Sequence, residues 1–573
     1  MQTFNQLKKN LKNDYSGFKK IKIAVLGDSA TQFLSQAIRG SGYDLGLNQE
    51  IFEADFNQIE RQIFDPTSEL YSFTPDIILI FYSSHKLLAQ YNKLPLADTE
   101  RIAEEQMDLI EKITEALRLQ TTAKILYYNY NEIDDGVFGN YAGKVPSSFL
   151  FQLRKLNYEL MLFASRHANF FIVDISSIQN QFGKHTFFQS SVYINTEMVL
   201  SIDILPVVAA KTTRLINSLS GNFKKCLILD LDNTLWGGII GDDGIENIQL
   251  GSLGIGKAFT EFQYWIKKLQ RRGIILAVCS KNTESVAKEP FEKHPDMVLK
   301  LSDIAVFVAN WENKADNIKQ IQTILNIGFD SIVFLDDNPF ERNMVRDNIT
   351  GITVPELPED PAEYLEFLYT LDLFETTSFS SGDAERTRQY QVEAERTVMQ
   401  KTFTNETDFL KNLDMVSDVE PFNKFNTPRV AQLSQRSNQF NLRTVRYTES
   451  DIERIISDPD SFSFTFTLED RFGDNGMICV IVLKWENANT LFIETWLMSC
   501  RVLKRGMEQF VLNSIVNFAK KEKCSFLKGE YIETAKNEMV KNHYPALGFE
   551  ASGNYWLLNV DSYNTRECFI KNK

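Results

Sequence analysis

The chain has no run of about 18 consecutive apolar residues, so no part of it is built to cross a bilayer as a helix. Its opening, MQTFNQLKKNLKNDY, is polar and lacks the block layout of a secretion signal, so a cytoplasmic location is expected. Cysteine is scarce. The six cysteines, at 226, 279, 479, 500, 524 and 568, show neither CxxC nor any metal-ligand spacing, which points to reduced thiols rather than a disulfide or zinc framework. Positive charge is in the minority: 61 Lys and Arg stand against 76 Asp and Glu, and the net charge of −15 argues against nucleic acid or an anionic membrane as the main partner. Repeats and low-complexity tracts do not interrupt the sequence. What is present is an ordinary globular composition, 43% apolar and 24% charged, in a 573-residue chain long enough for about three to four domains.

The most informative stretch is KCLILDLDNTLWGG, residues 225–238. Lys225 to Leu229 reads as a fully buried strand, so Asp230 emerges at its carboxyl end, where open α/β sheets gather ligands. Asp232, two residues on, shares its face. Such a pair can divide the work of phosphoryl transfer, one carboxylate attacking phosphorus and the other moving a proton, with Mg²⁺ bridging carboxylate and phosphate oxygens. The plain alternative is an acidic turn that closes a strand. Further along, Ser280 closes the apolar run IILAVCS, Lys314 lies in NWENKADN, and Asp336 and Asp337 end SIVFLDDNP. The intervals of 50, 34 and 22 residues each leave room for the helix of a parallel crossover. Lys314 could instead be a solvated helix lysine, and the two aspartates a helix cap. Adjacent acids repel unless a cation neutralises them, which favours a site.

This ordered set resembles the haloacid dehalogenase superfamily, whose first motif is DxDxT. The segments GGIIGDDG, CSKN, HPDMVL, NWENK, LDDNPFERNMVR and VPELPEDP narrow the resemblance to the FkbH-like branch, strongly over Phe223 to about Leu373. It implies that Asp230 is the phosphoryl-accepting nucleophile and Asp232 the acid/base. Ser280 and Lys314 would hold phosphoryl oxygens, with Thr234, Lys281, Asn282, Asn338 and Arg342 on the phosphate or substrate. Asp230, Asp232 through its backbone carbonyl, Asp336 and Asp337 would hold Mg²⁺. Only about 25 Gly-rich residues separate the first strand from a helix near Ala258 to Gln270, which leaves no room for a cap domain. An uncovered site suits a large substrate, such as a group presented on a carrier protein; the segment could also be an ordinary flap. Trp236 either shields the site from water or fills the sheet edge.

Before this region, KIAVLGDSATQF places Gly27, Asp28 and Ser29 at a strand–helix junction and resembles the first block of SGNH-type hydrolases, in which the serine is the nucleophile. The rest of that pattern is broken. Asp203, Ile204, Leu205 and Pro206 stand where an aspartate should precede a histidine by three, and Asn129 and Asn131 follow the strand KILYY without a GxND block. His85 and His185 do not match in position. A degenerate domain used for recognition or docking is expected.

Beyond about Leu373, SSGDAERTRQYQVEAERTVMQ reads as a charged helix opening a new unit. The runs FTFTLED, ICVIVLKW and TLFIETWLM read as consecutive strands that lead into the helix RGMEQFVLNSIVNFAKK. The layout resembles a GNAT-type acyltransferase. That resemblance implies an acyl-CoA or pantetheine site at Arg501, Arg505 and Gly506, where the helix N-terminus faces a pyrophosphate. Lys504 stands in place of the family's glycine. In AKNEMVKNHYPALGFE, Tyr544 would protonate a leaving thiolate, or else pack its helix onto the sheet. Cys500, beside Arg501, is the better acyl-accepting thiol, whereas alternation turns Cys279 into the core. CRVLKRG is the best basic patch for an acidic acyl carrier protein.

The expected fold is thus α/β in three domains: a flavodoxin-like SGNH-type domain over 1–220, a capless Rossmann-like domain over 221–375 and a GNAT-like α+β domain over 376–573. The resemblances imply an Mg²⁺-dependent phosphatase or phosphotransferase that processes a phosphorylated three-carbon acyl donor, a glyceroyl phosphate, and loads an acyl carrier protein. One alternative is a sugar-phosphate phosphatase coupled to an acyltransferase in surface-polysaccharide biosynthesis. The other is a non-catalytic scaffold that binds carrier protein.

Overall fold

The computed structural model describes residues 2–95, 97–379, 386–400, 403–534 and 536–573. By packing, the chain divides into two units, 1–217 and 218–573. No helix among the described residues is long and apolar enough to cross a membrane.

The first unit is built on five parallel strands, β1 (Lys19–Gly27), β2 (Leu47–Glu53), β3 (Ile77–Phe81), β4 (Lys124–Tyr128) and β5 (Phe170–Val173), in the order β2-β1-β3-β4-β5. This is the doubly wound order of flavodoxin. Helices cover both faces, so a central strand such as β3, IILIF, is apolar at every position and buried throughout.

The second unit begins with four parallel strands, β6 (Cys226–Leu229), β7 (Ile275–Ser280), β8 (Ile304–Ala309) and β9 (Ile332–Leu335), ordered β8-β7-β6-β9. Alternation along each strand sorts its side chains into two cores. Leu227, Leu229, Leu276, Val278, Val333 and Leu335 pack with the helices Gly254–Arg271 and Tyr364–Leu371. Cys226, Ile228, Ala277, Cys279 and Phe334 pack on the other side with the helix Lys314–Leu325. A fully buried side chain of the Ile or Phe kind contributes about 1.5–3 kcal/mol, so the short strands are held by what covers them. Since the chain runs from β6 out to β7 and β8 and returns to β9 on the far side, the order switches beside β6. Asp230 and Asp336 follow the two strands that flank this switch.

The same unit carries a largely antiparallel sheet of β10 (Met415–Ser417), β11 (Val419–Glu420), β12 (Ser461–Asp470), β13 (Gly473–Asn487), β14 (Thr490–Met498), β15 (Phe526–Glu530), β16 (Glu550–Ser552), β17 (Tyr555–Asn559) and β18 (Ile570–Asn572). The order is β16-β17-β15-β14-β13-β12-β10-β18, with β11 on β12. The expected strands and the helix Met507–Lys521 are all present. β14 and β15 run parallel and pair only from Thr490 to Phe492 before they part. The chain's own segment Phe440–Leu442 fills the gap: Leu442 N–H donates to the Trp496 carbonyl (3.2 Å), Met498 N–H to that of Phe440 (3.0 Å) and Ile532 N–H to that of Leu442 (2.9 Å).

Residues 380–385 of the charged stretch lie outside the described residues, and the helix that follows, Arg386–Gln400, packs on β8 and the helix Lys314–Leu325 rather than starting a separate body. Gln391 Nε2 donates to the Ile304 carbonyl on β8 (2.9 Å), so the helix covers an edge strand that would otherwise be open.

Candidate active site

The carboxylates of Asp230, Asp336 and Asp337 each bring an oxygen into one group whose members lie within 4.8 Å of one another. Asp230 is fixed by its N–H, which donates to the Leu335 carbonyl across the β6–β9 ladder (3.0 Å). Asp336 accepts the Asn338 N–H at Oδ1 (2.8 Å). Lys314 opens its helix just beyond β8, and its ammonium lies 3.0 Å from Asp230 Oδ2 and 2.6 Å from Asp336 Oδ2. Burial pushes the Asp336 carboxyl up to about 7, the Asp230 charge adds to this, and Lys314 opposes it. Asp337 is raised for the same reasons, burial first. Burial works against the charge of Lys314, but the two aspartates outweigh it and hold the ammonium well above its ordinary range.

The charges test whether a metal belongs here. Three carboxylates against the Lys314 ammonium leave two negative charges uncompensated in a mostly buried site. Hard oxygen donors with that deficit fit a divalent cation of the Mg²⁺ type.

Asp232 shares the loop but not the cluster. Its Oδ1 accepts from Trp236 Nε1 (2.9 Å) and the Ile240 N–H (3.0 Å), and its Oδ2 from Asn282 Nδ2 (2.8 Å). The turn that swings it round has Asn233 at φ 53°, in the left-handed region that Asn tolerates. With the side chain so engaged, the part of Asp232 that can face a metal is its backbone. Ser280 is buried and accepts Asn282 Nδ2 at 3.3 Å, which ties the end of β7 to Asp232. Thr234 is also buried; its Oγ1 accepts the Asp337 N–H (3.1 Å) and donates to Asp337 Oδ1 (3.3 Å), so it orients a carboxylate.

Three expected phosphate ligands have other tasks. Arg342 is turned inward: Nη1 donates to the carbonyls of Asp336 (2.8 Å) and Asp337 (2.6 Å), and Nε and Nη2 pair with Glu356 (both 2.9 Å). It clamps the acidic loop. Asn338 caps the helix Pro339–Asn348 by accepting the Phe340 N–H (2.9 Å). Lys281 pairs with the buried Glu341 at 2.6 Å. Trp236 is neither a water shield nor edge filler alone, since its indole N–H aims Asp232; the spacing of four residues was the available signal. The Gly-rich segment forms a small flap in which Gly237 and Gln249 exchange two backbone hydrogen bonds (3.2 and 2.8 Å).

Cys500 is not brought to this site. It lines a cavity with Lys225 and Ile275, at the amino ends of β6 and β7, whereas Asp230 stands at the carboxyl end. The five-residue step from Lys225 to Asp230 spans about 16 Å at strand rise. Cys279 is buried in the core, where burial drives its thiol well up. Arg501 and Arg505 do not present a basic patch. Both are buried: Arg501 donates to Gln389 and to Ser499 Oγ (3.2 Å), and Arg505 pairs with Glu393 and with Asp470 (3.3 Å). Lys504 is the exposed cation of CRVLKRG, and Gly506, at φ 81°, starts the helix. Tyr544 is buried beneath the sheet, its ring so close to Gly529 that a Cβ there would lie 2.3 Å from Cζ. It packs the helix onto the sheet.

In the first unit, Ser29 is buried, and its Oγ makes no hydrogen bond to a histidine. Asp28 accepts the Ser83 N–H with both oxygens (3.0 and 2.9 Å), and burial raises it to about 7. His85 stacks on Phe188 at 4.0 Å, and Asn129 caps the helix Ile175–Phe182 by accepting the Ile175 N–H at 2.7 Å.

Residues 22–217 match the sequence model of the FkbH N-terminal domain. A crystal structure of the N-terminal part of the protein BF1531 from Bacteroides fragilis, containing a phosphatase domain complexed with Mg, is 58% identical. It covers 66% of this chain and 100% of its own, with a TM-score of 0.64. The ribosomal-protein-S18-alanine N-acetyltransferase of Escherichia coli aligns over 26% of this chain and 97% of its own at 12% identity and a TM-score of 0.21, too weak to carry an argument. No curated protein matches.

Proposed function

The chain belongs to the FkbH-like family with its Mg-binding phosphatase domain, and from that premise we propose that it is an Mg²⁺-dependent phosphoryl-transfer enzyme centred on Asp230. The observation that carries this reading is the meeting of Asp230, Asp336, Asp337 and Lys314 at the switch point of a parallel sheet. An Asp230 oxygen attacks phosphorus, the bond from phosphorus to the leaving oxygen breaks, and Asp232 delivers the proton to that oxygen. Water then splits the aspartyl phosphate, and Asp232 takes its proton as phosphate departs. Lys314, with the Ser280 hydroxyl, holds the phosphoryl oxygens as charge spreads over them. Asp230, Asp336, Asp337 and the Asp232 carbonyl would hold Mg²⁺, which would supply charge that offsets that of the phosphoryl group.

The substrate in this reading is a phosphorylated three-carbon acyl compound, with the acyl unit passed to an acyl carrier protein. Support comes from the short flap that stands between β6 and the helix Gly254–Arg271, with no cap domain inserted there, and from Trp311 and Phe340, 74% and 70% exposed on the loop after β8 and in the first turn of the helix Pro339–Asn348, at the same end of the sheet as Asp230. Large apolar side chains on such a rim suit a macromolecular donor or acceptor. The position of Cys500 favours a second reading, a phosphatase for a free sugar phosphate, because a thiol at the opposite end of the sheet cannot receive the acyl group in the same encounter. Incubating the protein with Mg²⁺, a glyceroyl phosphate and carrier protein, followed by intact-mass analysis, separates the two. Acyl-carrier product that disappears in Asp230→Asn supports the first; released phosphate with unmodified carrier supports the second. A wild type as inert as Asp230→Asn across a donor panel would return the scaffold.

A further inference from the structure

Lys281 and Glu341 form an ion pair, 2.6 Å from Nζ to Oε1, whose place in the sheet gives it a part in the site. Lys281 directly follows β7, Glu341 lies in the first turn of the helix Pro339–Asn348 that follows β9, and β6 stands between those two strands. The pair thus spans the width of β6 at the end where Asp230 emerges. It also keeps to one face: Cys279, two residues before Lys281, shares a core with Ile228, two residues before Asp230, and with Val345 of the Glu341 helix. The charges of Lys314, Asp230, Asp336 and Glu341 all act on the Cys279 thiol, which places Glu341 among the groups of the phosphoryl-transfer centre. The two ends of the pair differ in exposure, 8% for the Glu341 side chain and 36% for that of Lys281. Drawing Lys281 away would strand a buried carboxylate, a larger loss than an exposed contact elsewhere returns. The ammonium therefore stays on Glu341. One of its three N–H donors is taken there, and on the exposed side the others can meet a ligand with the pair intact. A free lysine would lose rotamer freedom on contact, whereas this one has already lost it. Since an ammonium only donates, its ligand is an oxygen acceptor, best a carboxylate.

We propose that Glu341 is a positioning residue, which holds the Lys281 ammonium at the mouth of the site as a fixed donor to a carboxyl or acyl oxygen of the substrate. That oxygen belongs to the end of the substrate remote from the phosphoryl group, and the pair selects phosphate esters that carry one over those that end in hydrocarbon. The inference rests on the phosphoryl-transfer reading of Asp230 and extends it to substrate class. Lys281 contributes to affinity and not to bond breaking, so its loss is read in KM rather than in kcat.

The test compares two three-carbon phosphate monoesters that differ only at the far end, 3-phosphooxypropanoate with a carboxylate and propyl phosphate with a methyl group. Phosphate release in Mg²⁺ is followed for wild type, Lys281→Met, Glu341→Gln and the double variant of the full chain. Wild type should prefer the carboxylate ester about tenfold or more in kcat/KM, with the difference in KM. Lys281→Met is expected to erase that preference, and Glu341→Gln, nearly the same shape, to cut it about threefold or more. Lys281→Arg, which can still reach a carboxylate, should keep most of it. Because Glu341 acts through Lys281, Glu341→Gln should change nothing further in the Lys281→Met background. A wild type that treats the two esters alike, a preference unchanged in Lys281→Met or Glu341→Gln, or a variant whose kcat falls equally on both esters overturns the proposal. Calorimetric titration of both esters into Asp230→Asn with Mg²⁺, which lacks the nucleophile, reads the preference without turnover, and equal or absent binding there has the same force. Phosphate release without preference sinks the Lys281 assignment and leaves the phosphatase reading standing, so the two failures are distinguishable.

Discussion

Replacing Lys314 with Met keeps most of the side chain's length and removes one positive charge from between Asp230 and Asp336, 3.0 and 2.6 Å away. The three side chains are 4%, 8% and 0% exposed, so solvent screening gives little relief. Breaking a buried ion pair from one side costs about 3–5 kcal/mol, because the remaining charge stays buried and unpaired. In EDTA, Lys314→Met is therefore expected to lose about that much unfolding free energy in urea. Lys314 also competes with the metal for Asp230 and Asp336, so the variant should bind Mg²⁺ about a hundredfold more tightly than wild type, and saturating Mg²⁺ should then shrink the deficit to roughly a third. Turnover falls about 10²–10³-fold for want of the cation on the phosphoryl oxygens. Equal destabilisation with and without Mg²⁺, or turnover within a factor of two of wild type, would refute the reasoning.

Arg342→Met removes the donors that hold the Asp336 and Asp337 carbonyls, and the Mg²⁺ concentration for half-maximal phosphate release should rise about 10–100-fold. Trp236→Phe keeps the packing on Phe291 but drops the indole bond that aims Asp232, worth about 0.5–1.5 kcal/mol, so kcat should fall up to about tenfold with KM nearly constant. Asp28 has a folded pKa near 7, above its unfolded value of about 3.9, so the stability linked to its protonation is complete below about pH 4 and is lost as pH rises to about 7. In urea melts Asp28→Asn should match wild type at pH 4 and exceed it by up to about 4 kcal/mol at pH 8; a constant gap across that range would count against the buried carboxylate.

The phosphatase sheet was legible because a strand buried on both faces must be apolar at every position. Lys225 to Leu229 was expected and Cys226–Leu229 forms; the helix expected near Ala258 to Gln270 spans Gly254–Arg271. The polar residues ending those strands converge because parallel strands share one carboxyl edge, so Asp230, Ser280 and Asp336 are legible as neighbours from the sequence. What the sequence hid were pairings between distant residues. Arg501 and Arg505 looked available for an anion because nothing local shows that Glu393 and Asp470 reach them. Arg342 looked like a phosphate ligand because its carbonyl acceptors carry no signature in composition or spacing. The helix Arg386–Gln400 read as the start of a new body because its charge concealed Tyr390, which is buried in the core beneath β7 and β8. Cys500 beside an arginine looked reactive, yet its place at the wrong end of the sheet follows from tertiary structure alone.

In the proposed mechanism, acidic side chains from the ends of β6 and β9 share one divalent cation. Calorimetric titration of Mg²⁺ into wild type and Asp336→Asn measures this directly. One saturable site per chain in wild type, weakened at least a hundredfold in Asp336→Asn, is the expected result; identical Mg²⁺ binding by the two proteins, or none by wild type, would contradict it.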